Sequence, residues 1–125
     1  MTGLLLDTHV LLWWRGDYRR IGASVLERIT DPEIGVFFSS ASIWEMAIKH
    51  ASGKLSMPAN LLETMAERGF SELPVRSTDG LRAGALPPHH ADPFDRMLIA
   101  QAQGDGLTLV TSDTRIAAYD VPILW

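Results

Sequence analysis

A chain of 125 residues, 46% hydrophobic and 21% charged, is long enough to build one domain with its own core and too apolar to be a disordered segment. The absence of cysteine excludes disulfide staples and thiolate metal centres, and it fits a reducing compartment. A formal charge of −4 runs against a nucleic-acid enzyme, because phosphate backbones are held mainly by Lys and Arg. Nine of the eleven basic residues are nevertheless Arg, whose planar fork suits phosphate, and bound cations reverse the local field wherever acids gather.

Met1-Thr2-Gly3 carries no basic region, and Asp7 ends the run Leu4-Leu5-Leu6 before it reaches the length of a signal peptide or membrane span. The expectation is a soluble, cytoplasmic protein with no membrane contact, and residues 1–125 read as a single domain. Leu4–Leu6 has the character of a buried strand and Thr8–Trp14 the spacing of a helix. Asp7 therefore stands at a strand's carboxyl end, where open α/β sheets bind ligands, and equally at a helix N-cap. Ala23–Ile29 continues as helix, Asp31-Pro32 as a turn and Ile34–Phe38 as a second strand.

The next helix, Ala41–Ala51, is apolar almost all round except for Ser42, Glu45 and Lys49, which share one narrow stripe. An exposed Glu–Lys pair at i, i+4 is the plain reading, while a stripe this narrow between Trp44/Ile48 and Ile43/Ala47 points to a carboxylate facing a cleft. Leu61–Arg68 and Thr78–Leu86 read as helices, with a strand in the Phe70–Val75 stretch between them. Asp92-Pro93-Phe94-Asp95 then opens the helix Phe94–Gln103, with Asp92 as N-cap, Pro93 at the first position and Asp95 at the third. Asp95 stands where a capping box usually has Glu; its shorter side chain reaches back less well and is freer to face a metal. Gly104-Asp105-Gly106 ends that helix, Leu107–Val110 forms a strand, and Thr111-Ser112 leads to Asp113, which repeats the strand-end position of Asp7. Thr114–Tyr119 reads as helix and Val121–Leu124 as the last strand.

Strands alternating with helices predict an α/β layered fold around a mainly parallel sheet. In such a sheet Asp7, Glu45, Asp95 and Asp113 would converge on one edge. Four carboxylates suit Mg²⁺ or Mn²⁺, which take oxygen ligands and keep several waters, and such a site activates water toward a phosphodiester. Without a cation, clustered acids repel and raise one another's pKa, which disfavours a purely structural role for all four. His9, His89 and His90 lie near these acids in sequence, but surface and helix-end histidines are commoner than ligands, and no His-x-x-x-His spacing is present. Arg96 could hold a phosphate or pair with Asp92 or Asp95. Trp13, Trp14 and Trp44 suit a core or an interface, with Trp14 the one expected to face a partner.

Leu6-Asp7-Thr8-His9-Val10, Ser39–Lys49 around Glu45, Asp92-Pro93-Phe94-Asp95-Arg96-Met97-Leu98-Ile99-Ala100 and Val110-Thr111-Ser112-Asp113, in that order, closely resemble the VapC-like PIN-domain family. The resemblance spans nearly the whole chain. It implies a PIN-like α/β/α sandwich with a central mainly parallel sheet, Mg²⁺- or Mn²⁺-dependent cleavage of RNA, and the toxin half of a pair inhibited by a VapB-like antitoxin. It also implies a homodimer. By the same resemblance Asp7, Glu45, Asp95 and Asp113 match the acidic positions and Thr111 the accompanying hydroxyl. Asp92 and Asp95 both fall near the third position; spacing to Leu98-Ile99-Ala100 favours Asp95.

Two other readings compete. A receiver-like or haloacid-type phosphoryl-transfer domain also places Asp after its first strand but wants a lysine near the late strands, and both lysines here, Lys49 and Lys54, come early. A degenerate, non-catalytic RNA-binding domain would have no need to retain all four acids.

Overall fold

The computed structural model describes residues 3–125, so Met1 and Thr2, on which part of the leader reading rests, lie outside the described residues. The chain runs β1 (Leu4–Leu6), α1 (Thr8–Gly16), a 3-10 turn (Tyr18–Arg20), α2 (Ala23–Thr30), β2 (Val36–Ser39), α3 (Ser40–Ala51), α4 (Leu61–Glu67) and β3 (Ser71–Leu73). It continues through α5 (Ser77–Ala85), α6 (Pro93–Asp105), β4 (Thr108–Val110), a second 3-10 turn (Thr114–Ala118) and β5 (Ile123–Leu124). The five strands form one parallel sheet in the order β3-β2-β1-β4-β5.

Side-chain alternation along β1 divides the interior in two. Leu4 and Leu6 point to one face and pack with Val10, Leu11, Val25, Met46 and Met65, from α1 to α4. Leu5 points to the other, with Leu98, Ile99, Leu109 and Ile116, supplied chiefly by α6 and β4. With helices on both faces the central strands are mostly apolar, and the expected α/β/α sandwich follows. No helix among the described residues is long and apolar enough to cross a membrane.

Element boundaries moved where local chemistry competed. Ile34 is a buried core residue, but its amide closes a turn onto Asp31 O (3.1 Å), so β2 starts only at Val36. Helix α6 tolerates Gly104 and stops at Gly106, whose φ of +65° is the left-handed cap conformation that glycine adopts at little cost. The expected helix after Asp113 is a 3-10 turn of five residues.

The topology fixes the place of the site. From β1 the chain winds outward through β2 and β3, then returns to build β4 and β5 on the other side of β1. The winding reverses between β1 and β4, and the carboxyl ends of these two strands bound the crevice where open α/β sheets hold ligands. Asp7 follows one of these strands and Thr111 the other.

Candidate metal centre

Asp7 is buried and has two duties. Its Oδ1 accepts from Val10 N (3.0 Å) as the N-cap of α1, and its Oδ2 accepts from Thr111 Oγ1 (2.5 Å) across the β1/β4 seam. Burial pushes its carboxyl above the ordinary range, opposed by the Thr111 hydrogen bond and the cap amide. The cap and ligand readings of Asp7 are thus compatible, because each carboxylate oxygen accepts one hydrogen bond and keeps a further lone pair.

Glu45 is 3% exposed, so the narrow stripe on α3 does face inward. Thr8 Oγ1 donates to its Oε1 (2.8 Å) and Lys49 Nζ to its Oε2 (2.6 Å). The i, i+4 pair exists as well, but Glu45 lies inside the cleft and is no exposed surface partner. The bond to Glu45 raises the Lys49 pKa, with Asp92 and Asp95 adding to the shift. Lys49 is early in sequence, yet the fold carries it to the acids.

Asp92 caps α6, its Oδ1 accepting from Phe94 N (2.8 Å) and Asp95 N (3.3 Å), so the helix-start reading holds. Asp95, one turn in, is partly buried, and its carboxyl is pushed up to about 6. Burial is the largest cause, followed by the charge of Asp92, with Asp7 and Glu45 adding in the same direction and His90 opposing. The carboxyl of Asp95 thus feels Asp7, Glu45 and Asp92 together.

Asp113 behaves differently from the mutual repulsion expected of all four acids. It caps the second 3-10 turn through Arg115 N (3.0 Å) and pairs with the Arg115 guanidinium at 3.1 and 2.9 Å. Arg115 first, and His90 after it, hold this carboxyl well below the usual carboxylate range.

His90 is the residue sequence reasoning passed over. It is 4% exposed, and its Nε2 lies 3.0 Å from an oxygen of Asp113 and 3.0 Å from an oxygen of Asp95. Arg96 neither points to the acids nor pairs with them. Its guanidinium donates to the carbonyls of Ala83, Leu86, Pro87 and His90 at 2.8–3.2 Å, bracing the chain ahead of α6. Trp14 packs on Phe70 with ring centroids 4.6 Å apart, whereas Trp44 is 64% exposed and meets Phe94 edge-on. Of the three helical tryptophans the exposed one is therefore on α3, beside Glu45, in place of the expected Trp14.

A model of the PIN domain matches residues 4–122. Over 98% of its length the chain is 29% identical to Ribonuclease VapC22 of Mycobacterium tuberculosis, covering 95% of that protein. Among solved structures it is similar to VapBC2 from Rickettsia felis bound to a promoter DNA fragment (TM-score 0.71, 12% identity, 97% of this chain and 96% of that one). It is also similar to a toxin–antitoxin complex from Klebsiella pneumoniae (TM-score 0.68, 20% identity, 98% and 97%). With the family model covering almost all of it, the chain belongs to the PIN-domain family.

Proposed function

We propose that this chain is one PIN domain acting as a divalent-metal-dependent endoribonuclease in the cytoplasm, the toxin half of a toxin–antitoxin pair. The observation that carries the reading is the state of Asp95. Burial, together with the charges of Asp92, Asp7 and Glu45, pushes its carboxyl up to about 6. Burial is the first cause of that rise and the neighbouring acids the next, and a divalent cation would favour the ionised carboxylate against both.

The donor set fits Mg²⁺ or Mn²⁺. It offers carboxylate oxygens and lacks thiolates, and partly exposed Asp95 and Asp113 leave room for retained waters. Asp7, Glu45, Asp95 and Asp113 would hold the ion, which when bound polarises a phosphodiester and lowers the pKa of water. The protein's own contribution is to fix those oxygens. Thr111 orients Asp7, Thr8 and Lys49 orient Glu45, and the start of α6 carries Asp95. Lys49 and Arg115, each paired with a site acid, offset part of the unfavourable net charge where a phosphate would approach.

The name of the M. tuberculosis relative supports ribonuclease activity, and the toxin–antitoxin complexes among similar structures support a VapB-like antitoxin as partner. A partner segment covering this edge would satisfy the acids with an Arg or Lys. Homodimerisation belongs to the same reading and would give a light-scattering mass near twice 13.8 kDa.

The test is to express the chain alone and together with the small protein encoded beside it. Growth arrest with RNA cleavage by the chain alone, relieved on co-expression with co-purification of the two, is the expected result. Unimpaired growth with no co-purification would remove the toxin–antitoxin reading.

A further inference from the structure

His90, Asp95 and Asp113 each offer one ligand atom, all within 4.8 Å of one another, which has the look of a mixed nitrogen–oxygen metal site. The hydrogen bonding of the ring argues otherwise. Asp92 N donates to His90 Nδ1 (3.1 Å), so Nδ1 uses its lone pair and carries no proton. With Nδ1 accepting, the ring N–H is at Nε2, the atom facing the two carboxylates. An Nε2–H has no lone pair for a cation.

Deepening the reading of the acids as a metal centre, on which it rests, we infer that His90 is a positioning residue, not a metal ligand. Its Nε2–H ties Asp113 beside Asp95 and so sets the spacing of two ligating carboxylates that come from different elements. The N–H is hydrogen-bonded to Asp113 Oδ2 at 3.0 Å, with Asp95 Oδ2 at the same distance from the nitrogen. Asp95 belongs to α6 and Asp113 to the loop after β4. The two carboxylates and the ring nitrogen lie within 4.8 Å of one another, and like charges so close repel unless a donor stands between them.

The backbone that carries the ring is held at both its amide and its carbonyl. The His90 amide donates to Tyr119 Oη (2.8 Å), whose hydroxyl donates in turn to Pro87 O (2.6 Å), and the His90 carbonyl accepts from Arg96 (3.2 Å). Arg96 also grips Ala83, Leu86 and Pro87, so the Pro87–His90 segment is bolted to α6 and to the second 3-10 turn. This arrangement accounts for the placement of Arg96, which holds neither phosphate nor acid.

Two substitutions separate the roles of the two nitrogens. In His90→Gln the amide NH₂ falls near the place of Nε2 and restores the donor; in His90→Asn the side-chain oxygen falls near Nδ1 and keeps the acceptor for Asp92 N while losing the donor. His90→Asn should still fold, with a lower melting temperature because Asp113 loses one of its donors, and should lose roughly 10–100-fold in Mn²⁺ affinity and RNA cleavage, the usual range for a group that orients metal ligands. His90→Gln should recover most of both. Independently of activity, the ¹H–¹⁵N long-range spectrum of the full chain, with the His90 signals identified by their absence in His90→Gln, should show Nε2 protonated and Nδ1 bare. Addition of Mg²⁺ or of Zn²⁺ should leave that pattern intact. A switch to protonated Nδ1 and metal-bound Nε2 with either ion, or equal losses in the Gln and Asn variants, would overturn the inference. If the parent chain cleaves no RNA, the ribonuclease reading fails while the spectrum still decides the role of His90.

Discussion

The Thr111 hydroxyl donates to Asp7 Oδ2 at 2.5 Å, joining the ends of β1 and β4 at the place where the sheet reverses its winding. The two residues are 104 positions apart, yet this bond fixes a site acid that also caps α1. Thr111→Val keeps the shape and removes the donor, leaving a buried carboxylate oxygen without its partner. Thermal or urea melts should show a loss of about 1–3 kcal/mol, and Mn²⁺ binding should weaken. Thr111→Ser, which keeps the hydroxyl, should remain close to the parent in both measurements.

Replacing acids by amides should split the site by sign. Asp95 is destabilised as a carboxylate by burial and by its neighbours, so Asp95→Asn should raise the melting temperature of the metal-free protein at pH 7. Asp113 is stabilised as a carboxylate by Arg115 and His90, so Asp113→Asn should lower it. Both substitutions should abolish most RNA cleavage. Melting temperatures that move in the same direction would contradict this account of the site's electrostatics.

Metal-free stability should fall as pH rises through the Asp95 range. The folded-state value of about 6 lies above the unfolded value of 3.8, so between these the native state binds more protons than the unfolded one. The stabilising proton is present below pH 4 and lost as pH climbs through 6. Asp113 has the opposite sign, and its contribution is lost only in stronger acid, below the ordinary carboxylate range. Melts of the parent and Asp95→Asn in EDTA from pH 4.5 to 7.5 should show a downward slope in the first and a flatter profile in the second. Adding Mn²⁺ should raise the melting temperature more at pH 7 than at pH 5, because the ion displaces the Asp95 proton.

Asp92 and Asp95 are three residues apart and separable by chemistry. Asn is as good a cap as Asp, so Asp92→Asn should leave stability nearly unchanged and most of the cleavage intact. Asp92→Ala removes the acceptor for Phe94 N and Asp95 N and should cost about 0.5–2 kcal/mol, read by denaturant titration. A dead Asp92→Asn beside a fully active Asp95→Asn would exchange the roles of these two acids.

The strands and caps were legible because their signals are local. Leu4–Leu6 before Asp7 and Asp92-Pro93 before α6 announce themselves within a few residues, and the structure keeps them there. Apart from the Glu45–Lys49 pair at i, i+4, the side-chain partners of the acids were not legible, since they depend on which elements the fold brings together. His90 meets Asp113 across 23 residues, and nothing in His89-His90 tells the buried ring from the exposed one. Arg96 stands beside Asp95 in sequence but turns to the carbonyls of the preceding loop, a choice that only the packing of α5 and α6 decides. Trp14 and Trp44 sit on equally apolar stretches; Phe70 covers the first, while Trp44 remains mostly exposed beside Phe94.

The central claim, that these acids hold a cation which cuts RNA, is tested most directly by the cleavage rate of single-stranded RNA by the purified chain. The reaction is run in Mg²⁺ or Mn²⁺ and in EDTA, with Asp95→Asn alongside. The account predicts cleavage with either ion, none in EDTA, and a fall by orders of magnitude in Asp95→Asn. Cleavage that persists undiminished in EDTA, or an Asp95→Asn variant as fast as the parent, would contradict it.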